Sequence, residues 1–220
     1  MTLSAVVVGT TSWGTTLAVL LARNGISVRM LARHDAEAVS INADRENKRF
    51  APGVTLPESV TATSSSTEAL AGAELVVVAV PSRTIRQNVR SIANDLTQAA
   101  TVVSATKGLE VSSGKRMSQV ILEELGADWS GHICALSGPN LASEVLAGLP
   151  STTVVAGSDA EAMTQVQTAF TSQSFRVYTN RDLVGVELGG ALKNIIAIAS
   201  GISDGLDFGH NARAGLITRG

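Results

Sequence analysis

Two lysines stand in settings where an ammonium group can do chemistry. Lys193 lies in Val186-Glu187-Leu188-Gly189-Gly190-Ala191-Leu192-Lys193-Asn194-Ile195-Ile196-Ala197-Ile198, a run with helical spacing that is apolar on most sides. Glu187, Gly190, Lys193, Asn194, Ala197, Gly201 and Asp204 fall on one stripe at i+3 and i+4 steps, mixing small residues with charges. Charges within such a helix are costly unless they are paired or face a cavity. A lysine desolvated enough to outweigh a neighbouring carboxylate has a lowered pKa and serves as a general acid or base. The other reading is a structural Glu187–Lys193 contact, for which a separation of six residues is poor. Lys107, in Thr106-Lys107-Gly108-Leu109-Glu110, follows an apolar run at 101–104. Ligands of open α/β sheets bind at the carboxyl ends of strands. A lysine beside a glycine there can reach an anionic substrate; the plain alternative is a surface-loop lysine. The glycine-bearing loop Leu136-Ser137-Gly138-Pro139-Asn140-Leu141-Ala142-Ser143-Glu144 follows another strand. Its backbone N–H groups and Asn140 are expected near the substrate, unless it is only a turn into a short helix.

A second kind of chemistry is written at the start. Gly9-Thr10-Thr11-Ser12-Trp13-Gly14 follows the first apolar run and opens the first helical pattern. A glycine ending a strand permits a tight turn, and the helix N-terminus offers N–H groups to a pyrophosphate. Gly9 and Gly14 occupy the first and last glycine positions of that pattern, and Thr11 stands where the middle glycine belongs. Its β-branched side chain is expected to crowd the phosphates, so Thr11→Gly should tighten dinucleotide binding. Without a ligand the same residues make only a sharp strand-to-helix turn. About 20 residues on, where NAD enzymes carry an acid for the ribose hydroxyls, the sequence reads Leu31-Ala32-Arg33-His34-Asp35. An arginine there pairs with a 2′-phosphate, which favours NADP over NAD; a solvated loop arginine is the alternative.

These residues need a frame. Apolar runs at 6–8, 74–80, 101–104 and 133–136 read as strands, as does 27–31, with helices at 13–24 (broken by Gly25) and 35–45. Strands that are continuously apolar are buried on both faces. The alternation predicts an α/β fold, a Rossmann-type doubly wound, mostly parallel sheet. The Thr/Ser-rich stretch 61–67 reads as a strand end and loop. Beyond 180 the pattern changes: 182–201 and 212–218 are helical with no strand after them. The expected domains are 1–180, binding the dinucleotide, and 181–220, the beginning of an all-α substrate domain.

Of the 220 residues, 45% are hydrophobic and 16% charged, enough for a sizeable core, and the net charge of -2 argues against nucleic-acid binding. The single Cys134, within a buried-looking strand, excludes an internal disulfide and fits a reducing compartment. No targeting segment is apparent, and the longest apolar stretch, interrupted by Lys193 and Asn194, is a poor membrane span. A cytoplasmic location is expected, with no metal site.

Several stretches together resemble the bacterial NAD(P)-dependent glycerol-3-phosphate dehydrogenases. They are the Gly9–Gly14 turn, Val80-Pro81-Ser82 with Arg86, the Lys107 turn, Leu136-Ser137-Gly138-Pro139 with Ala142 and Glu144-Val145, the segment from Val184 to Asn194, and that from Gly205 to Gly220. The resemblance implies reversible reduction of dihydroxyacetone phosphate to sn-glycerol 3-phosphate, which feeds glycerophospholipid synthesis. It implies that Lys193 exchanges the proton at the C2 oxygen and that Lys107 contacts substrate and cofactor. Gly138 and Asn140 would line the substrate, and Gly9, Ser12, Trp13, Gly14, Arg33, His34, Phe50 and Ala142 the cofactor. Three departures stand out. Thr11 replaces a glycine, and Asn140 stands where serine or threonine is common. The chain ends at Gly220, where similar enzymes continue for roughly another hundred residues, the size of a small domain. By the resemblance, that further part would carry an aspartate assisting the lysine and an Arg-Asn pair gripping the substrate phosphate. The alternatives are a non-catalytic dinucleotide-binding module, another β-hydroxyacid-type dehydrogenase, or a chain whose uncovered helical face pairs it into a homodimer.

Overall fold

The computed structural model describes residues 3–220. Six strands run parallel: β1 (Ser4–Val8), β2 (Ser27–Leu31), β3 (Val60–Thr63), β4 (Leu75–Val78), β5 (Thr101–Ser104) and β6 (Ile133–Ser137). β7 (Ser151–Gly157) joins antiparallel to β6, and β8 (Phe175–Asn180) lies parallel to β7. The eight-stranded order is β3-β2-β1-β4-β5-β6-β7-β8. Its first six strands have the order of the dinucleotide-binding fold, and the order reverses between β1 and β4, where ligands of such sheets bind. The Rossmann-type, mostly parallel expectation therefore holds. The antiparallel β7 is an addition that apolar patterning does not single out.

The helices are α1 (Ser12–Arg23), α2 (Asp35–Asp44), α3 (Ser66–Leu70), α4 (Ile85–Ile92), α5 (Met117–Leu125), α6 (Ala142–Leu146), α7 (Ala160–Phe170), α8 (Leu183–Gly205) and α9 (Gly209–Arg219). Side chains alternate across each strand. Ala5, Val7, Val77 and Val103 pack with Leu17 and Leu21 of α1 and Val166 and Phe170 of α7. Val6, Val8, Val76 and Val102 pack on the opposite face with Ile85 and Val89 of α4 and Val120 and Ile121 of α5. Both faces are thus covered, which is why β1, β4 and β5 read as unbroken apolar runs. Cys134 is fully buried on the α1 side, and that burial pushes its thiol up to about 12. It is a packed small hydrophobe.

α8 and α9 follow the sheet as a hairpin of a different character. In α8 only Glu187 and Ser203 are buried, while Ile195, Ile198, Ile202 and, beyond the helix, Phe208 are exposed. By length and mean hydropathy (1.4), α8 is long and apolar enough to cross a membrane. Its first turns, however, are pinned by polar bonds to the start of α5.

Candidate functional site

The β1–α1 turn is shaped by close approaches. Gly9 has φ +104, and a Cβ there would stand 2.8 Å from Val80 Cγ1 and 2.9 Å from the Ala79 carbonyl oxygen. A Cβ on Gly14 would stand 2.2 Å from the Gly9 carbonyl oxygen. Both glycines let the turn, α1 and the end of β4 close on one another. The first-turn N–H groups of Ser12 and Trp13 have no carbonyl four residues back within the helix, which is the arrangement that receives an anion.

Thr11 corrects the sequence reading. It is the N-cap of α1 at φ −63, ψ 168, a conformation that needs no glycine. Its Oγ1 accepts from the Gly14 N–H at 3.0 Å and donates to the Ala79 carbonyl at 2.8 Å. The hydroxyl is spent inside the turn, capping the helix and tying it to β4, so removing it should not make a better phosphate site. Thr11→Ala is expected to lower stability by about 1–2 kcal/mol in urea unfolding, with Thr11→Ser near wild type. Thr11→Gly should leave NADPH affinity unchanged or weaker in a fluorescence titration; tighter binding would restore the crowding idea.

Two residues without a sequence signal fix this turn from the β2 side. Asn47 is buried, and its Nδ2 donates to the Thr10 carbonyl and to Thr15 Oγ1, both at 2.8 Å. Thr10 Oγ1 donates to Glu37 Oε1 at 2.5 Å, and the Arg33 N–H donates weakly to Glu37 Oε2 at 3.4 Å. Asn47 also accepts, through its main-chain and side-chain oxygens, from the Phe50 N–H. The segment carrying Phe50 is thereby held near the turn, with the Arg49 guanidinium 4.8 Å over the Phe50 ring. The guanidinium of Arg33 and the His34 ring are exposed at the end of β2 and make no hydrogen bond or ion pair among the described residues.

A cleft of about 400 Å³ opens at the switch point, walled by Ser12, Trp13, Pro81, Lys107, Asn140 and Ala142 among others. Lys107 is half-buried, and its Nζ donates to the Gly138 carbonyl at 2.9 Å. Burial, then the charge of Lys193, lowers its pKa. Its loop is clamped three residues on. Arg86 donates to both oxygens of Glu110, at 2.8 and 2.7 Å, and also reaches Glu123 and Glu124. Arg86, helped by Ser113, holds the Glu110 carboxyl down at about 2. A Cβ on Gly138 would stand 2.8 Å from the Thr152 carbonyl oxygen and 2.9 Å from Asn140 Oδ1. That close fit lets Asn140 Nδ2 donate to Thr152 at 2.8 Å, while its Oδ1 is buried without a partner.

The expected residues therefore fall into three places. Ser12, Trp13, Lys107, Asn140 and Ala142 share the cleft, with Gly9, Gly14 and Gly138 shaping its backbone. Arg33, His34 and Phe50 lie beyond it, on the β2 side. Lys193 is exposed on α8, its Nζ 3.1 Å from Asn194 Oδ1, and lines a neighbouring apolar groove with Leu188, Leu192, Ile196 and Ile217. Glu187 does not pair with Lys193. It bonds instead to Arg116 and Ser118 at the start of α5.

Comparison with known proteins places these features among relatives. Residues 4–163 match the family model for the NAD-dependent glycerol-3-phosphate dehydrogenase N-terminus, and residues 182–220 that for its C-terminus. The chain is 48% identical over 215 residues to a glycerol-3-phosphate dehydrogenase (NAD(P)+) of Dehalococcoides mccartyi, covering 97% of this chain and 60% of the relative. To that of Corynebacterium glutamicum it is 48% identical over 217 residues, covering 99% and 65%. Among solved structures, glycerol-3-phosphate dehydrogenase from Coxiella burnetii superposes with a TM-score of 0.87 at 35% identity, covering 99% of this chain and 66% of that one. The chain spans 60 to 65% of the length of these curated relatives.

Proposed function

The chain belongs to the NAD-dependent glycerol-3-phosphate dehydrogenase family, and from that premise we propose that the protein interconverts sn-glycerol 3-phosphate and dihydroxyacetone phosphate with NAD or NADP. The observation that carries the reading is one cleft with two kinds of wall. The free first turn of α1 suits a pyrophosphate, and the half-buried Lys107 suits an anionic substrate. The residues fit the cofactor, because Gly9 and Gly14 bring the α1 N-terminus against the end of β4 at the switch point. When bound, the nicotinamide supplies the hydride.

The chain's own residues then divide the work. Ser12, Trp13, Gly9, Gly14 and Ala142 hold the dinucleotide, with Phe50 and His34 toward its adenosine end. The unpaired guanidinium of Arg33 favours the 2′-phosphate of NADP. Lys107, Gly138 and Asn140 orient the phosphorylated substrate. Lys193 gives a proton to the C2 oxygen in reduction and takes it back in oxidation. Residues 1–180 form the cofactor domain and 181–220 begin the helical substrate domain. We place the protein in the cytoplasm as a supplier of glycerol 3-phosphate for phospholipid synthesis. It acts as an enzyme of small molecules, with no nucleic-acid partner or membrane span, and a homodimer would cover its exposed helical face.

The test is loss of NADPH or NADH absorbance when the full gene product is given dihydroxyacetone phosphate, with small β-hydroxyacids and their ketones as controls. Turnover of the phosphorylated ketone is expected. Tight cofactor binding with no turnover of it would reduce the protein to a binding module. Turnover of a β-hydroxyacid alone would move it to another dehydrogenase class.

A further inference from the structure

One of the two buried side chains of the apolar helix α8 is a carboxylate. Glu187 is 8% exposed, deeper than any leucine or isoleucine of that helix. Its Oε1 accepts from the Ser118 N–H at 2.8 Å, and its Oε2 accepts from Ser118 Oγ and Arg116 Nη1, both at 2.5 Å. Ser118 is itself buried, in the first turn of α5, where helical N–H groups lack internal acceptors. The carboxylate thus caps another helix with its charge at the favourable end of the dipole and is neutralised by Arg116. A buried carboxylate with that many partners resists rotation and sliding more than an apolar contact does, because each displacement strands a desolvated charge.

One helical turn on, Gly190 makes a second contact. A Cβ there would stand 2.5 Å from Ser137 Oγ and 3.8 Å from Lys107 Cγ, so the backbone of α8 lies directly on the end of β6 and beside the Lys107 stem. Another turn on is Lys193. Glu187, Gly190 and Lys193 lie at successive three-residue steps, so whatever sets the rotation and height of α8 at its first turns also sets the position of Lys193. The rest of the helix offers little other anchorage, since its remaining buried residue, Ser203, is four turns away.

We propose that Glu187 is a positioning residue whose bonds to Ser118 and Arg116 lock the first turns of α8 to the start of α5 and thereby hold Lys193 beside Lys107. The proposal rests on the reading of Lys193 as the proton donor, but its geometric part does not need turnover. The test uses Glu187→Gln, which keeps the side chain's shape but presents an amide, and Arg116→Met, which removes the charge from the opposite side. Each is made in the full gene product and checked for folding by circular dichroism. Two readouts are taken. In the first, kcat with dihydroxyacetone phosphate should fall about tenfold, a misplacement effect, while the KM for the dinucleotide stays within about twofold, because Glu187 lies away from the cleft walls. In the second, NMR titration of the Lys107 ammonium should show its pKa rising, because Lys193 has moved away.

A purely structural Glu187 would lower unfolding resistance and leave both readouts unmoved, and that result overturns the proposal. If Glu187→Gln does not fold, Arg116→Met decides on the same two readouts. If the unsubstituted protein has no turnover, the enzymatic reading fails alone. The Lys107 titration then decides whether Glu187 places Lys193: a raised pKa supports it, and an unchanged one rejects it.

Discussion

Gly14→Ala should destabilise the protein by about 3 kcal/mol, the upper range for inserting a methyl group into a closed packing, and should abolish dinucleotide binding. The added Cβ would meet the Gly9 carbonyl oxygen at 2.2 Å, with Gly9 C and Thr11 Oγ1 both at 3.3 Å. That obstacle is backbone and cannot rotate away. Either the turn opens or α1 shifts. α1 is buried without a break from Gly14 to Ala22 between the sheet and its neighbours, so a shift disturbs the whole core layer. Opening the turn disturbs Gly9, which at φ +104 packs closely against Val80 and Ala79. Either response moves the Ser12 and Trp13 N–H groups, which is why binding and stability should fail together. Gly189→Ala is the internal control. Gly189 is exposed in α8 with nothing within 4 Å of its Cβ position, so the same change should stabilise by up to about 1 kcal/mol through helix propensity. Urea unfolding of the two variants, with NADPH titration of each, checks the pair. Equal effects would mean that the turn is looser than its contacts imply.

The Gly9–Gly14 turn was legible because it combines a strand end, a helix start and a required backbone geometry within six residues, all local. The strands β1, β4, β5 and β6 were legible for a similar reason: burial on both faces leaves a nearly unbroken apolar run. β7 and β8 were not. β7 begins Ser151-Thr152-Thr153, and β8 alternates Phe175, Arg176, Val177, Tyr178 at the sheet edge, with only Phe175 and Val177 buried. A half-exposed edge strand carries half the signal.

The site shows the same division. Lys107 and Asn140 announce themselves by following strands, and both line the cleft. Thr11 was placed by position in a motif, but its side-chain direction was decided by the Ala79 carbonyl 68 residues away. Asn47 stands in an irregular segment and matters only because Thr10 and Thr15 come to it. Glu187 was visible as a charge out of place in an apolar helix. Its partners, about 70 residues earlier in the chain, belong to another element. Sequence spacing identifies residues that must be satisfied somewhere; tertiary packing decides by whom.

Lys193→Met should lower kcat with dihydroxyacetone phosphate by about a thousandfold, within the range for removing a general acid, while leaving NADPH affinity nearly unchanged. The contrast follows from where Lys193 lies. It is not among the walls of the switch-point cleft, and its only hydrogen bond among the described residues is to its neighbour Asn194. Methionine keeps the length and apolar contacts of the stem within the groove formed by Leu188, Leu192 and Ile196. The same substitution carries an electrostatic signature that needs no turnover. Lys107 has a lowered pKa, first because burial penalises its charge and second because Lys193 repels it. Removing the second cause raises the Lys107 pKa part of the way back, since burial remains.

The sign of the stability change follows. A lysine that binds its proton less tightly folded than unfolded weakens the fold at pH values below its folded pKa. That weakening is relieved as pH rises through it. Easing the depression therefore makes Lys193→Met no less stable than wild type near neutral pH, and its stability should gain less on going alkaline. Kinetics, NADPH titration and the Lys107 NMR titration together separate the cases. Lost turnover with a raised Lys107 pKa and intact cofactor binding marks Lys193 as the proton donor standing across from Lys107. Retained turnover would remove it from the chemistry. An unshifted Lys107 would mean that the two ammonium groups are farther apart than the docking of α8 through Glu187 and Gly190 brings them.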